Sequence, residues 1–502
     1  MENKTTNMNL VLSVLGVTFL MVMMDNTILN VALEDIQAEL NASTAELQWA
    51  VDSYILVYAA LMFTAGLVAD RLGRKKILIA GLLIFAVASA MAGLSSSPTE
   101  LILWRGVMGI GGAVIPPATL AIIRSSLPKD RQAAAMGVWS ALGGLSVAFG
   151  PILGGAILEK FSWGNVFFIN IPIAVICCIL LGLFSPESRS SSVQKLDPIG
   201  IVLSIICIGT FVFGIIQGGE SGNWLSLSSG GFMFIGAILA VVLVVVELRM
   251  PFPAFDVQLL SSKAFAGGTL AISAAFFSLT GGTFLLVFYV QQVLGKTPLQ
   301  LGFVLLPVAI GSVLGAIGSN AIVHKFGYKI TVFYGLLALV VAILGLLIVD
   351  PSRGLLLLEV SLLIAGLGMG LTMASTTSLV MATVPPDRAG VSSAVNNTLR
   401  QVGAALGVAI LGSLLTQNFR SAVSEEIKAF PVEMRDVASS SLGAALNVAK
   451  HAGGSPELLE AFRNDYVDSM HATLWIALIV LLGAMIVGLK VIPRDVAAAP
   501  VE

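Results

Sequence analysis

The sequence contains few charged residues. Only 11% of its 502 residues are Asp, Glu, Lys or Arg, whereas a soluble domain carries about 25%. The mean hydropathy is +0.95, so the sequence predicts a membrane protein with many spans. The formal net charge of −2 gives no reason to expect a nucleic-acid partner.

Cysteine and histidine are also scarce. The three cysteines, Cys177, Cys178 and Cys207, lie in apolar runs, so they are interpreted as packing residues with no disulfide or metal framework. There is no HExxH or GxSxG motif, and the GKT at 295–297 lacks the upstream glycine of a phosphate-binding loop. We expect no metal and no cofactor, and a lipid-modifying membrane enzyme is only a remote alternative.

The sequence is rich in long apolar runs. A membrane-spanning helix needs about 20 apolar residues, and the first run, 10–33, is too long for a cleaved signal peptide. Fourteen spans are predicted, at 10–33, 46–69, 76–94, 101–123, 133–157, 164–184, 197–217, 230–250, 266–290, 301–323, 330–349, 355–378, 390–415 and 473–491. The one long loop, 416–472, is predicted to lie outside the cell and to contain amphipathic helix.

The distribution of Lys and Arg predicts the orientation. With the amino terminus inside, the outer short loops hold only Lys160, Lys296 and Arg353. The inner loops hold Arg71, Arg74, Lys75, Lys76, Arg124, Lys129, Arg131, Arg189, Lys195, Arg249, Lys263, Lys325, Lys329 and Arg388. Both termini are therefore expected in the cytoplasm, which requires an even number of spans.

An internal repeat divides the chain. The loop DRLGRK (70–75) resembles HKFGYK (324–329), and LPKDR (127–131) and FGPILGG (149–155) match VPPDR (384–388) and LGVAILG (406–412) at one offset. Repeats of six spans are typical of transporters with a site between the halves. We predict a six-helix bundle in 1–190, an inserted pair of spans in 191–262, and a second six-helix bundle in 263–502.

Two consecutive spans each carry one acidic residue in their apolar interior, Asp25 and Asp52. A carboxylate inside a span costs roughly 2.5–3.5 kcal/mol on insertion scales, and such residues are functional by default. Arg105 enters span 4 at a similar depth, which a rise of about 1.5 Å per residue places about 6 Å from the outer end. These three residues are the candidate proton-coupling groups. The alternative is a structural ion pair in which Arg105 only satisfies or orients the acids.

Residues near the two acids are candidates for contact with a substrate. Helical spacing places Met21 on the face of Asp25 and Trp49 on the face of Asp52. Trp49 can offer a cation–π contact and Met21 an adaptable apolar wall. The alternative is that both side chains simply pack or face lipid.

Two further motifs are candidates for a conformational switch. The loop at 66–76 contains Gly66, Asp70, Arg71, Gly73 and Arg74, and it is interpreted either as a positive-inside signal or as a latch in which Asp70 pairs with Arg71, Arg74 or Arg131. In span 5, Gly150 and Gly154 have the spacing that allows helices to approach closely, and Pro151 bends the helix.

With these segments in place, the chain resembles the 14-helix drug:proton antiporters of the major facilitator superfamily, the EmrB/QacA-like branch. The resemblance is carried by DNTILNVAL (25–33), GLVADRLGRKK (66–76), RGVMGIGGA (105–113), GPILGG (150–155), WGNVFFINIP (163–172) and VLGKTPLQLGFVLLP (293–307). It implies an all-α membrane protein with the major facilitator fold. Met108 departs from the glutamine usual in the span-4 motif. Spans 10 and 13 lack acidic residues, so dicationic substrates are not expected.

The resulting hypothesis is a proton-coupled antiporter that exports lipophilic, cationic drugs or biocides across the bacterial cytoplasmic membrane. Asp25 and Asp52 would bind either a proton or the drug, and H⁺ would be the coupling ion. An exporter of one metabolite, lipid or antibiotic is the alternative. The expected partners are a small-molecule substrate and the lipid bilayer, and the expected state is a monomer. Arg400 interrupts span 13 and must face the bundle interior, and the sequence assigns it no partner.

Overall fold

The computed structural model describes residues 8–127, 129–189, 197–250, 257–351, 354–383, 389–451 and 454–493, and all regular structure within these ranges is helical. The α-helices are α1 (Met8–Leu40), α2 (Thr44–Leu72), α3 (Arg74–Gly93), α4 (Pro98–Ser126), α5 (Lys129–Leu158), α6 (Asn165–Phe168), α7 (Asn170–Phe184), α8 (Pro198–Ser221), α9 (Phe232–Arg249), α10 (Lys263–Phe288), α11 (Pro298–Leu346), α12 (Leu355–Thr383), α13 (Ala389–Ala422), α14 (Val432–Ala438), α15 (Leu442–His451) and α16 (Pro456–Val491). Short π-helical segments lie at Leu227–Gly231 and Tyr289–Val293, and 3₁₀ segments at Val257–Ser261 and Glu426–Ala429.

The all-α membrane fold predicted from the sequence is confirmed. In the described ranges, eleven helices are long and apolar enough to cross a membrane, and the bent pair Thr44–Met62 and Thr64–Leu72 makes twelve. The helix α11 covers two predicted spans, 301–323 and 330–349. The count of fourteen spans stays a prediction.

Local sequence explains where the helices begin and turn. Ser43 caps α2 in a capping box with Glu46, and Thr297 caps α11 in the same way with Gln300. Gly73 separates α2 from α3 with φ of +119°. Its counterpart in the internal repeat, Gly327, interrupts α11 with φ of +80°. Glycine suits both turns because other residues are strained at positive φ.

The helices pack in two groups with α8 at the seam. In the first group α4 packs on α2 and α3, and α1 packs on α5 and α7. In the second group α11 packs on α12, and α10 on α13 and α16. The groups meet where α2 contacts α13 and where α5 contacts α11, and α8 contacts both α2 and α13. The helix α9 packs on α8 at the periphery of the helix bundle and exposes apolar side chains such as Phe234 and Val241.

The segment 416–472 is mostly helical in its described part. The helix α13 runs on to Ala422 and α16 begins at Pro456, while α14 and α15 pack on each other between them. The segment contacts the first group of helices, because Thr44 Oγ1 donates a hydrogen bond of 3.3 Å to the carbonyl of Ser440. Buried Gln291 and Gln292 add to this seam, since their amide groups donate to the Val31 carbonyl and to Gln37 Oε1. The two groups are thus joined at the end of the molecule predicted to be outside.

Candidate functional site

Asp25 and Arg105 form an ion pair between α1 and α4. Arg105 Nη1 lies 2.5 Å from Asp25 Oδ2, and the exposed fractions of the two side chains are 1% and 0%. Arg105 Nε donates a second hydrogen bond of 3.1 Å to the carbonyl of Ala50 on α2. The three helices are therefore connected through one buried guanidinium.

The other carboxylate oxygen of Asp25 is also bonded. Asn170, the first residue of α7, donates from Nδ2 to Asp25 Oδ1 at 2.9 Å and to Ser89 Oγ at 3.1 Å. The Ser89 hydroxyl in turn donates to the Phe167 carbonyl at 2.7 Å. Charge-assisted hydrogen bonds of this kind are about twice as strong as neutral ones. The charge of Asp25 is balanced in place, which agrees with the structural alternative left open by the sequence.

Asp52 has entirely different surroundings. It is fully buried, with 0% exposure, and neither carboxylate oxygen has a hydrogen-bond partner among the described residues. Burying an unpaired charge is far more costly than burying a neutral polar group. The surroundings of Asp52 therefore offer a negative charge no hydrogen-bond donor among the described residues.

A small polar cavity lies next to the helical turn that precedes Asp52. Gln48 is four residues before Asp52, on the same face of α2, and within the described ranges its amide Nε2 and the hydroxyl of Ser413 have no hydrogen-bond partner. The cavity has a volume of about 40 Å³, which is enough for water. It is lined by Ser43, Thr44, Ala45, Gln48, Ile216, Glu220, Ser413, Thr416, Arg420 and Ser440.

Trp49 and Met21 lie in packed positions. The ring of Trp49 lies 6.3 Å from the ring of Phe213 on α8, and Met21 is 1% exposed within the apolar core. The structure thus places Trp49 at the contact between α2 and α8. A contact of either residue with a substrate stays a prediction.

The loop after α2 forms the ion pair proposed for it within the first group of helices. Arg74 Nε lies 2.7 Å from Asp70 Oδ1, and Arg74 Nη1 donates to the Ala121 carbonyl on α4 at 3.4 Å. Arg71 is exposed, and the side chain of Arg131 lies outside the described part of the structure. Gly66 allows α2 to approach α4, because a methyl group there would stand 3.2 Å from Pro117 Cβ.

The chain after α7 completes this loop. The backbone N–H groups of Arg74 and Lys75 donate to the Ser188 carbonyl at 3.0 Å and to Glu187 Oε1 at 3.2 Å. Lys75 Nζ donates to the Gly182 carbonyl at 2.7 Å. All these contacts stay within the first group of helices, so a latch to the second group is a prediction that the described contacts leave open.

The small residues of α5 form two contact faces. On one face, methyl groups at Gly150 and Gly154 would collide with Thr27 and Ile28 of α1. On the other face, a methyl group at Gly302 of α11 would stand 2.7 Å from the Pro151 carbonyl oxygen. Close backbone approach on both sides places α5 between α1 and the second group of helices.

Several buried polar residues near the acids were not singled out from the sequence. Asn170 lies inside the quoted motif WGNVFFINIP, but its role depends on the position of α7 beside α1. Tyr54 and Tyr58 are four residues apart on the helix of Asp52, a spacing that predicts one shared face. Their rings stack at 5.7 Å, and Arg105 Cζ lies 4.4 Å from the ring centre of Tyr54.

Metal-binding groupings are not found in the described residues. No cluster of three or more His, Cys, Asp or Glu side chains there is arranged to hold a metal ion. Cys177, Cys178 and Cys207 are free thiols, and the buried Cys177 and Cys207 pack as small apolar side chains.

Comparison with known proteins assigns the chain to a family. The sequence profile described as Major Facilitator Superfamily matches residues 15–408. The "Multidrug efflux pump LfrA" of Mycolicibacterium smegmatis is 31% identical over 95% of this chain and 95% of its own length. The "Tetracenomycin C resistance and export protein" of Streptomyces glaucescens is 31% identical over 80% of this chain and 74% of its own length.

A solved structure supports the fold. The crystal structure of a bacterial homolog of the human lysosomal transporter Spinster, in an inward-facing and unoccupied conformation, aligns with a TM-score of 0.68. The alignment covers 97% of this chain and 99% of that chain at 18% identity. At this identity the likeness concerns the fold alone.

Proposed function

Because the chain belongs to the major facilitator superfamily, we propose that it exports lipophilic drugs across the bacterial cytoplasmic membrane in exchange for protons, with Asp52 as the residue that binds and releases the proton. The drug-efflux relatives support export, and multiple apolar helices support a multi-pass membrane protein. The proposal includes two six-helix bundles around an inserted pair, both termini in the cytoplasm, a monomeric state and no cofactor besides H⁺.

The observation that carries the proposal is the isolation of Asp52. A proton carrier must exchange its proton, and a carboxylate with several fixed partners is poorly suited to do so. Asp25 has such partners, whereas Asp52 has none among the described residues. The proposal therefore assigns the proton to Asp52 and a positioning role to Asp25 and Arg105.

The cavity beside Gln48 is the proposed proton route. It reaches from Arg420 and Glu220, near the end predicted to be outside, to Gln48, one helical turn from Asp52. Water in this cavity can relay a proton between polar groups without any movement of the backbone. When the bundles rock, the same region must close toward the outside before the proton leaves toward the cytoplasm.

The ion pair offers a way for Asp52 to influence the rest of the bundle. Arg105 bonds the carbonyl of Ala50, which is two residues before Asp52 on α2. A change in the position of this turn when Asp52 loses its proton would alter the bond to Arg105 and hence the connection to α1. The Asp70–Arg74 pair and the glycine faces of α5 are the proposed parts of the resulting switch between conformations.

The membrane potential and the pH gradient are the proposed driving forces for export. One charge crossing 100 mV yields about 2.3 kcal/mol, which supports a substrate gradient of roughly 50-fold because about 1.4 kcal/mol corresponds to tenfold. A monocation exchanged for one proton moves no net charge, so only the pH gradient would drive that exchange. A cationic drug would pair with Asp52 rather than with Asp25, whose charge is balanced by Arg105.

A second candidate is export of one particular antibiotic. Relatives such as the tetracenomycin C exporter and the "Methylenomycin A resistance protein" of Streptomyces coelicolor are named for single compounds. Efflux measured with a panel of chemically unrelated drugs separates the two candidates. Transport of several classes supports the multidrug proposal, and transport of one compound alone supports the narrower one.

The test of the proton site uses proteoliposomes with an imposed pH gradient. Asp52→Asn should abolish pH-driven efflux, because the amide cannot carry the proton. Asp436→Asn, at an exposed position of α14, is the matched control and should transport like the wild type. Wild-type efflux from Asp52→Asn would refute the assignment of the proton to this residue.

A further inference from the structure

Arg400 is a cation placed deep in the second group of helices. It lies eleven residues from the start of α13, about 16 Å along the helix axis at 1.5 Å per residue. That distance corresponds to the middle of a membrane about 30 Å thick. An ionisable residue at this depth is a functional-site hypothesis by default.

Arg400 lies at the seam between the two groups of helices. Its Cζ is 4.9 Å from the ring centre of Phe276 on α10, and the phenol of Tyr58 on α2 is its electrostatic neighbour. Two residues earlier, Thr398 Oγ1 donates to the Ala59 carbonyl of α2 at 3.1 Å. The guanidinium therefore faces elements of both groups, where a transporter of this architecture binds its substrate.

The guanidinium has no acceptor for its hydrogen bonds among the described residues. Its Nε is buried and unbonded, no carboxylate pairs with it there, and the side chain as a whole is partly exposed. Arg105, at the Asp25 ion pair, shows how this chain satisfies a structural arginine, with a carboxylate and a carbonyl. The difference indicates that the acceptor of Arg400 comes from outside the protein.

We propose that Arg400, Phe276 and Tyr58 form a binding site for the acidic oxygens of a planar aromatic drug. A carboxylate or phenolate would accept two parallel hydrogen bonds from the guanidinium fork, which matches that geometry better than an ammonium does. The drug's ring would pack on the aromatic side chains beside it. The inference rests on the proposed function of drug export and extends the substrate class from cations to acids.

Tyr58 also connects this site to the first group of helices. Its ring stacks on Tyr54, and Tyr54 lies against Arg105 of the ion pair. A drug acid at Arg400 would therefore lie beside one end of a row of aromatic rings whose other end contacts Arg105, the partner of Asp25. The site is positioned to bind substrate where the proton-dependent change occurs.

The test is equilibrium binding of two dyes that share a xanthene ring and differ in charge. Fluorescein is an anion and rhodamine 123 is a cation, and fluorescence anisotropy reports the binding of each to the purified full-length protein in detergent. Arg400→Gln should weaken fluorescein binding by at least about tenfold and change rhodamine 123 binding by less than about twofold. Arg189→Gln, at an exposed position, is the control and should leave both affinities unchanged.

Arg400→Lys keeps the positive charge, and it is the variant to test if Arg400→Gln does not fold. It should weaken fluorescein binding by several-fold, because it removes the planar fork. The inference would be overturned if wild type and variants bound fluorescein equally, or if the variants lost both dyes in parallel. It would also be overturned if the wild type did not bind fluorescein. The binding measurement needs no pH gradient. Its result therefore stands whether or not the Asp52→Asn test supports the proposed proton site.

Discussion

Asp25 and Asp52 are the same residue type on neighbouring helices, yet the structure surrounds them in opposite ways. Asp25 accepts hydrogen bonds from Arg105 and Asn170, whereas Asp52 has no bonded partner among the described residues. Both are fully buried, so burial does not distinguish them. The two sites differ in the hydrogen-bond donors that reach the carboxylate.

The largest effect is expected where the ion pair is broken from one side. Arg105→Met leaves the charge of Asp25 unpaired, and removing one partner of a buried pair costs about 3–5 kcal/mol. The thermal unfolding midpoint of the purified protein should fall clearly. The double variant Asp25→Asn with Arg105→Met should recover much of the loss. If it were no more stable than Arg105→Met, the pair would not be the cause.

The same substitution at the two acids sharpens the comparison directly. Asp25→Asn weakens hydrogen bonds to a charged group, each worth about 1.5–3 kcal/mol, and should lower the unfolding midpoint. Asp52→Asn removes no described hydrogen bond and should change stability by less than about 1 kcal/mol. Equal destabilisation by both variants would contradict the difference seen between the two sites.

Close packing beside Asp25 is tested at Gly150. An added methyl group would collide with Thr27, and overpacking of this kind typically costs about 1–3 kcal/mol. Gly209→Ala on α8 is the matched control, because nothing lies within 4 Å of a methyl group there. The unfolding midpoint should fall for Gly150→Ala only. A similar fall for both variants would point to a general glycine effect.

The smallest effect is expected in the cavity next to Asp52. Gln48→Leu removes a polar group from the proposed proton route, and pH-driven efflux should slow by about tenfold or less. Binding of a drug measured without a gradient should not change. A loss of binding equal to the loss of efflux would show that Gln48 contacts the substrate instead.

The pattern of apolar runs was sufficient to predict the membrane fold and most helix positions. Long apolar segments can be satisfied only as helices in a membrane, because every backbone polar group must be bonded within the segment. The internal repeat aligns Gly73 with Gly327, and both adopt positive φ. Helix ends were less predictable, since α1 and α16 extend well beyond the predicted spans into polar sequence.

The residues of the candidate site were predictable from the sequence. The hydrogen bonds and ion pairs between them were much less predictable. The depth of Asp25, Asp52 and Arg105 follows from counting residues along each helix. The choice of Asp25 as the partner of Arg105 depends on how α1 and α4 are rotated and how far apart they pack. Trp49 shows the same limit, because its contact with Phe213 requires the inserted helix α8 to lie beside α2.

The sequence was enough to identify an all-helical membrane protein with charged groups in its spans, because hydropathy and charge are properties of each segment alone. Its internal repeat and motifs were enough to indicate a transporter. The pairing of Asp25, the isolation of Asp52 and the open guanidinium of Arg400 came from the packing of helices distant in the chain. Which donor bonds to which acceptor depends on differences of a few ångströms in the distance between helices. The residue pattern along one helix does not determine that distance.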